Sequence, residues 1–158
     1  MRKFEKISLN EFIKDKCGTI EDYENYSLPQ RKTKYSAGYD FELIRDLTLK
    51  KHEIKKIPLG IKCLPNSDEF LMIVVRSSLG FKYNIRLTNQ VGIIDYDYYN
   101  NEDNEGHIWV SIQNEGEKDI TFHKGEAICQ GIFVKYGIIT NEKTIKEDRK
   151  GGIGSTNK

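Results

Sequence analysis

The stretch Asn89–Asn100, NQVGIIDYDYYN, places an acid, Asp95, directly behind the β-branched residues Ile93 and Ile94. Such side chains favour a strand because they pack well on a pleated surface. The polar and glycine residues at the start of the stretch predict a tight hairpin. A carboxylate at the edge of an apolar hairpin is expected to be partly desolvated, which suits a general base. The alternative interpretation is a surface hairpin with a solvated aspartate.

Short apolar segments separated by turn signals lie on both sides of this stretch. The predicted strands are Tyr39–Leu43, two pieces within Ile54–Leu64, Phe70–Val75, His107–Gln113, Ile120–Phe122 and Ala127–Tyr136. Phe70–Val75 is continuously apolar and is expected to be buried on both faces. In the strand that begins at His107, Ile108, Val110 and Ile112 alternate and share one face. Many short strands without βαβ alternation predict an all-β barrel or sandwich.

The two ends of the chain differ from this strand-rich middle. Ser8–Cys17 predicts a helix, because Ser8 and Glu11 have the spacing of a capping box. Residues 19–35 are polar and indicate a linker or extended arm, and residues 140–158 indicate a polar tail with almost no apolar periodicity. The predicted organisation is an N-terminal helix and arm over 1–35, a β-barrel domain over 36–139 and a flexible glycine-rich tail over 140–158.

Composition narrows the class of protein. The chain has 158 residues, enough for one domain with a real core. Its 25 Lys and Arg against 24 Asp and Glu give a net charge of +1, so neither nucleic acid nor a membrane is predicted as the main partner. No segment approaches the roughly 18 apolar residues of a spanning helix, and no apolar signal core opens the chain. A cytoplasmic protein is therefore expected.

The cysteines and histidines do not predict a zinc site. The three cysteines, Cys17, Cys63 and Cys129, are too far apart for a CxxC knuckle, and reduced, partly buried thiols are expected. The three histidines show neither HxxxH nor HExxH spacing.

Two segments have the composition of phosphate-binding sites. Arg76, Ser77 and Ser78 directly follow the buried strand, where hydroxyl, guanidinium and backbone N–H groups can hold a phosphate. Taken alone, this segment is better explained as a serine-rich turn, and Arg76 can instead pair with a buried carboxylate. In the tail, a second set of residues can form an anion nest with flanking hydroxyl donors. These residues are Arg149, Gly151, Gly152, Gly154, Ser155 and Thr156. No GK[ST] follows the glycines, so the segment is not a Walker A loop.

Taken in order, five segments resemble the motifs of the trimeric dUTPases, the dUTP nucleotidohydrolases. The resemblance covers roughly residues 28 to 158. The matching segments are SAGYDF at Ser36–Phe41, RSSLG at Arg76–Gly80, GIIDYDYY at Gly92–Tyr99, GEAICQ at Gly125–Gln130 and GGIGST at Gly151–Thr156. The resemblance implies a distorted jelly-roll β-barrel of the dUTPase type, an all-β fold, with a short N-terminal helix and a flexible C-terminal tail.

The resemblance also implies a reaction. Asp95 would orient a water for attack on the α-phosphate of dUTP, giving dUMP and pyrophosphate. Tyr98 would stack under the deoxyribose and leave no room for a 2′-hydroxyl. Asn89 and the backbone of Gly92, Ile93 and Ile94 would read the uracil edge. The cell would thereby be cleared of dUTP and supplied with dUMP for dTMP synthesis.

The remaining roles concern the phosphates and the assembly. Phosphate contacts are implied for Arg76, Ser77, Ser78, Gln130, Arg149, Gly151, Gly152, Gly154, Ser155 and Thr156. Mg²⁺ would be held mainly by the triphosphate and water, with Asp40 at most a partner through water. The implied assembly is a homotrimer in which three subunits share each site.

Three features depart from the usual pattern of that family. Ile153 stands where a phenylalanine usually caps the uracil, Arg149 lies one residue closer to the glycines than in the commonest pattern, and the loop NNEDNEG at Asn100–Gly106 replaces a short turn. Two alternatives to a plain dUTPase follow. A dCTP deaminase shares the fold, but it places a glutamate where this chain has Ser111. A dUTPase of phage type can also bind a repressor protein, with the N-terminal segment and the Asn100–Gly106 loop as candidate contacts.

Overall fold

The computed structural model describes residues 1–147 and 149–154. Within them strand is the main regular secondary structure. The strands are β1 Lys3–Lys6, β2 Tyr39–Glu42, β3 Leu47–Leu49, β4 Ile54–Pro58, β5 Ile61–Leu64, β6 Glu69–Val75, β7 Ile85–Leu87, β8 Gly92–Ile94, β9 Trp109–Asn114, β10 Ile120–Phe122 and β11 Ala127–Lys135. The helices are α1 Leu9–Lys14, α2 Ile20–Asn25 and α3 Ser77–Tyr83, with a 3₁₀ turn at Tyr96–Tyr98. The prediction of an all-β fold is confirmed.

The strands form antiparallel layers around one core. A four-stranded sheet has the order β2-β11-β6-β8, and a three-stranded sheet has the order β4-β9-β7. Two further pairs, β1-β5 and β3-β10, complete the layers. The apolar faces meet in a core that includes Phe41, Leu49, Leu71, Ile73, Ile85, Leu87, Ile108, Ile112 and Ile128. Every second residue of β9 points inward, so the predicted inward face at Ile108, Val110 and Ile112 is confirmed.

The predicted hairpin in Asn89–Asn100 is wrong. Strand β7 pairs with β9, whereas β8 pairs with β6 in the other sheet. The turn between β7 and β8 therefore carries the chain from one sheet to the next. Gln90 adopts a φ of 64° in that turn, and Gly92 lies so close to Ile73 that an added Cβ would stand 3.1 Å from the Ile73 Cβ. Any side chain at position 92 would force Ile73 to shift where β8 meets β6.

Strand β6 is not buried on both faces as its composition predicted. Leu71 and Ile73 are buried in the core, while the residues between them are half-buried. The second face of the strand is apolar yet only half covered within one chain.

The N-terminal segment contains more structure than its sequence predicted. Ser8 caps α1 as expected, but the helix ends at Lys14 instead of Cys17, and Glu105, not Glu11, accepts the hydrogen bonds of Ser8. Helix α2 lies in the segment predicted to be a linker or extended arm, and strand β1 precedes the predicted helix, where no element was predicted. Phe12, fully buried, anchors a small second core with Ile7, Cys17 and Ile44. Among the described residues, no helix has the length and apolar character that crossing a membrane requires.

Asn114 gives a direct test of how the end of β9 is held. Its fully buried side-chain amide donates to the carbonyls of Leu49, Lys50 and Lys118, and its Oδ1 accepts from the Gly116 N–H. We expect Asn114→Ala to lower the free energy of unfolding by about 1–3 kcal/mol, because buried carbonyls lose their donor. The isosteric Asn114→Asp should cost more, since a carboxylate would face three carbonyl oxygens. Urea denaturation measures both.

The exposed Asn10→Asp is the matched control, with an expected change within about 0.5 kcal/mol. An Asn114→Asp variant as stable as the wild type at pH 7 would contradict this account.

Candidate active site

One group of the expected site residues meets where β2, β11 and β6 lie side by side. Asp40 pairs with Gln130 across β2-β11, and Gln130 pairs with Val74 across β11-β6. Arg76 and Ser77 follow directly at the end of β6. These side chains line a cavity of about 240 Å³. The cavity is also lined by Lys32, Thr33, Ser36 and Gly38.

This cavity contains both a positive and a negative side chain, a combination that suits an anion bound together with a cation. The Arg76 Nε lies 3.5 Å from Asp40 Oδ1, so the alternative role of Arg76, pairing with a buried carboxylate, is realised in the chain. Asp40 is only 8% exposed. A Cβ on Gly38 would collide with Oε1 of Gln130, so glycine is needed there for the Gln130 amide to keep its place. Ser78 lies on the other side of Arg76, in a neighbouring depression.

A second group forms around Asp95. Arg149 Nη2 lies 2.8 Å from Asp95 Oδ2, and its Nε lies 3.1 Å from Asp97 Oδ1. The guanidinium carbon stands 5.7 Å from the centre of the Tyr98 ring, within range of a cation–π contact. The tail therefore lies against the same chain that supplies Asp95 and Tyr98.

Asp95 is less buried than its sequence context predicted. Its side chain is 49% exposed, so the expected desolvation of the carboxylate is wrong for the single chain. The reason is that β8 is an outer strand only three residues long, and Asp95 follows its last residue. Tyr98 is the buried member of this group, at 6% exposure, and burial raises the pKa of its hydroxyl.

The residues expected to read a base lie on the open edge of the sheet. β8 pairs on one side with β6 and has no strand partner on the other among the described residues. Asn89 and Ile93 are exposed, and Gly92 and Ile94 are half-buried. Backbone N–H and C=O groups on such an edge are available to a flat polar ligand. Ile153, in the described part of the tail, is 80% exposed.

Within one chain the two groups lie apart. Ile94 pairs with Leu71, so Asp95 follows at that end of β6, whereas Arg76 comes five residues after Leu71 at the other end. Asp95 lies one residue beyond that pair, so six residues of strand, at about 3.3 Å each, separate it from Arg76 by roughly 20 Å. The cavity lined by Asp40, Arg76 and Gln130 and the group around Asp95 are therefore different regions of a single chain's surface.

The tail residues divide into two sets. Gly151 and Gly152 are buried, and the Gly152 N–H donates to Asp103 Oδ2 at 2.8 Å. Gly154 adopts a φ of 78°, which favours glycine. Ser155 and Thr156 lie outside the described residues.

Two acids in contact with the tail were missed by sequence reasoning. Asp97 and Asp103 take the place that phosphate oxygens are expected to occupy against Arg149 and Gly152. The signal for Asp97 was its position two residues after Asp95. Asp103 gave none, because the loop around it has the composition of a solvated turn.

The described residues contain no group of three or more His, Cys, Asp or Glu that could hold a metal ion by themselves. The cavity at the end of β6 nevertheless offers oxygen atoms as possible metal ligands, from Asp40, Ser77 and Gln130. Mg²⁺ prefers such donors and keeps several of its waters. The cavity therefore fits a hydrated magnesium ion that arrives with a phosphate ligand.

Comparison with known proteins gives consistent matches. A family model described as dUTPase matches residues 24–157. The deoxyuridine 5′-triphosphate nucleotidohydrolase of Lactococcus lactis subsp. lactis is 40% identical over 140 residues, covering 87% of this chain and 93% of its own length. The crystal structure of dUTPase from Streptococcus mutans superposes with a TM-score of 0.70 at 33% identity, over 87% of this chain and 98% of that one.

A phage protein shares the same fold at lower identity. The Staphylococcus bacteriophage 80alpha dUTPase with dUPNHPP gives a TM-score of 0.68 at 17% identity, over 93% of this chain and 89% of that one. The predicted fold type is confirmed by these structures.

The contact between Asp103 and the tail can be tested by proteolysis. Asp103→Ala removes the acceptor of the Gly152 N–H, so the segment that carries Lys150 should open more often. Because cleavage tracks the open population, we expect trypsin to cut after Lys150 about threefold faster, followed by mass spectrometry of the intact chain. Glu102→Ala, an exposed acid next to Asp103, is the control and should match the wild type. Equal rates for all three proteins would rule out the contact.

Proposed function

The chain belongs to the dUTPase family, and on that premise we propose that it hydrolyses dUTP to dUMP and pyrophosphate. The observation that carries the proposal is the placement of Asp95, a half-exposed carboxylate at the end of an edge strand and three residues before the buried ring of Tyr98. A nucleotide whose base pairs with the strand edge and whose sugar lies on that ring brings its α-phosphate toward Asp95.

Asp95 acts as the general base in the proposed reaction. Its carboxylate accepts a hydrogen bond from a water and orients that water in line with the bond to the leaving pyrophosphate. As the water oxygen bonds to the α-phosphorus, its proton passes to Asp95, and the bond to the bridging oxygen breaks. Half exposure leaves room for the water, and a nucleotide lying over Asp95 removes much of the remaining solvent.

The phosphate chain is held by groups at the end of β6 and by the tail. Ser77 and Gln130 supply neutral donors, and Arg76 supplies charge near the cavity. Mg²⁺ carried by the triphosphate, held through water by Asp40 and its neighbours, would neutralise phosphate charge. Arg149 exchanges its carboxylate partners, Asp95 and Asp97, for phosphate oxygens, and this exchange frees Asp95 for the water. Ser155 and Thr156 are proposed to add hydroxyl contacts.

We further propose a homotrimer with shared active sites. In one chain Asp95 lies roughly 20 Å along β6 from Arg76, by the rise of about 3.3 Å per strand residue, so one chain alone does not bring the base to the cavity that Arg76 lines. A neighbouring copy that lays its cavity beside Asp95 solves this problem. The half-covered apolar face of β6 and the exposed Ile93 are surfaces that such packing would use.

The first alternative, a dCTP deaminase, has less support. Its expected glutamate is replaced by Ser111 on β9, and no acid lies between His107 and Gln113. The second alternative, binding to a repressor, remains a prediction, because the likeness to the phage protein at 17% identity concerns the fold. As a dUTPase the protein would work in the cytoplasm, removing dUTP and supplying dUMP for dTMP synthesis.

The reaction is tested by pyrophosphate release from dUTP with Mg²⁺, beside dCTP, dTTP and UTP. We expect release from dUTP alone and a loss of about 10²–10⁴-fold in kcat for Asp95→Asn, the usual contribution of a general base. Asp97→Asn is the matched control, because Asp97 also pairs with Arg149 but does not orient the water, and it should keep most activity. Ammonia released from dCTP would identify a deaminase instead, and equal losses in both variants would contradict the role of Asp95.

A further inference from the structure

The hydroxyl of Tyr98 is held by two hydrogen bonds that come from the loop after it. It donates to the carbonyl oxygen of His107 at 2.9 Å and accepts from Nδ2 of Asn104 at 2.9 Å. With its only proton committed and the group buried, the hydroxyl is not free to bind a substrate. Tyr98 therefore has no free polar group for a ligand, and a ligand can meet only the face of its ring, over which the Arg149 guanidinium lies in this chain.

Asn104 is fixed in turn by the loop around it. Its Oδ1 accepts from the Gly106 N–H at 3.1 Å and from Nδ2 of Asn101 at 2.8 Å. That Asn101 amide also donates to the carbonyl oxygen of Tyr98 at 2.8 Å. Two asparagines thus hold Tyr98 by its side chain and by its backbone.

The carbonyl that receives the Tyr98 hydroxyl also belongs to an immobile residue. The His107 ring is fully buried, with Nδ1 2.5 Å from Asp15 Oδ2 and Nε2 accepting from the Gly60 N–H at 2.9 Å. These partners assign the proton to Nδ1. The backbone of His107 therefore gives the Tyr98 hydroxyl a fixed acceptor. Asn104 donates to the same hydroxyl from the other side and restricts the remaining movement of the ring.

We propose that Asn104 is a positioning residue that holds the Tyr98 ring in place and thereby sets the discrimination between deoxyribose and ribose triphosphates. The inference rests on the proposed function, in which the sugar lies on this ring. A ring that excludes a 2′-hydroxyl by steric contact must be rigid. A displacement of the order of 1 Å would misorient the deoxyribose nucleotide and make room for the ribose nucleotide. Asn104 supplies that rigidity from the loop Asn100–Gly106.

The geometry also sets what the loss of Asn104 would do. Without its amide, the Tyr98 hydroxyl keeps one bond, to His107, and the ring can rock about it. The ribose nucleotide gains from the extra space, whereas the deoxyribose nucleotide loses a firm contact. Selectivity should therefore fall more than activity toward dUTP.

The experiment measures kcat and KM for dUTP and for UTP in wild type, Asn104→Ala and Glu102→Ala. For Asn104→Ala we expect the ratio of the two kcat/KM values to fall about five- to tenfold, the effect of one lost hydrogen bond of ordinary strength. Glu102→Ala, an exposed change in the same loop, should keep the wild-type ratio. A purely structural role for Asn104 would lower both substrates equally and leave the ratio unchanged.

A double-variant cycle tests whether Asn104 acts through the Tyr98 hydroxyl. Tyr98→Phe removes the acceptor that Asn104 binds, so it should lower the same ratio. Adding Asn104→Ala to Tyr98→Phe should then change the ratio less than twofold, because partners in one contact are not additive. Additive losses, or an unchanged ratio in Tyr98→Phe, would overturn the proposal, and an unchanged ratio in Tyr98→Phe does so even if Asn104→Ala fails to fold.

The outcomes separate this inference from the function on which it rests. A wild-type protein that does not release pyrophosphate from dUTP contradicts the proposed function. If the wild-type protein releases pyrophosphate from dUTP but the variants keep the wild-type selectivity, only the role of Asn104 is contradicted.

Discussion

Strand β6 pairs along its whole length with β11 and, over three residues, with β8. This register places every other part of the candidate site. It sets Gln130 beside Val74 and brings Arg76 and Ser77 to the far end of the strand. It also sets Gly92 against Ile73, where an added Cβ would press on the Ile73 side chain. A slip of one residue would turn the apolar side chains of β6 to the other face and separate these groups.

The same register divides the chemistry within a chain. The side chains proposed to bind phosphate lie at one end of β6, and the carboxylate proposed to orient water lies beyond the other. Arg149 pairs with that carboxylate and with its neighbour Asp97, so the tail neutralises both acids within one chain. In the proposed complex, phosphate oxygens would replace these acids as the partners of Arg149. The loop Asn100–Gly106 supports both partners, since Asp103 binds the tail and Asn104 binds the ring on which the sugar is proposed to lie.

The all-β class, most strands of the middle of the chain and the family could be predicted, because they depend on local alternation and contiguous motifs. Strand β1 could not, since Lys3–Lys6 is stabilised by pairing with β5, almost sixty residues later. Helix α2 lacks an apolar stripe, although Thr19 and Asp22 have capping-box spacing. The separation of Asp95 from Arg76 depends on sheet register. The loop Asn100–Gly106 is ordered because its asparagine side chains bond to backbone groups. Its sequence did not predict this, because it has the composition of a solvated turn.

In the proposed trimer, one active site takes Asp95 and the cavity lined by Arg76 and Gln130 from different chains, and mixing of variant subunits tests this sharing. Asp95→Asn and Arg76→Gln, each nearly inactive alone, would be unfolded together, refolded and assayed for pyrophosphate release from dUTP. In randomly mixed trimers about one site in four combines both intact parts, so roughly a quarter of the wild-type activity should return. Activity no higher than that of the separate variants, in a preparation shown to contain mixed oligomers, would mean that each chain builds its own site.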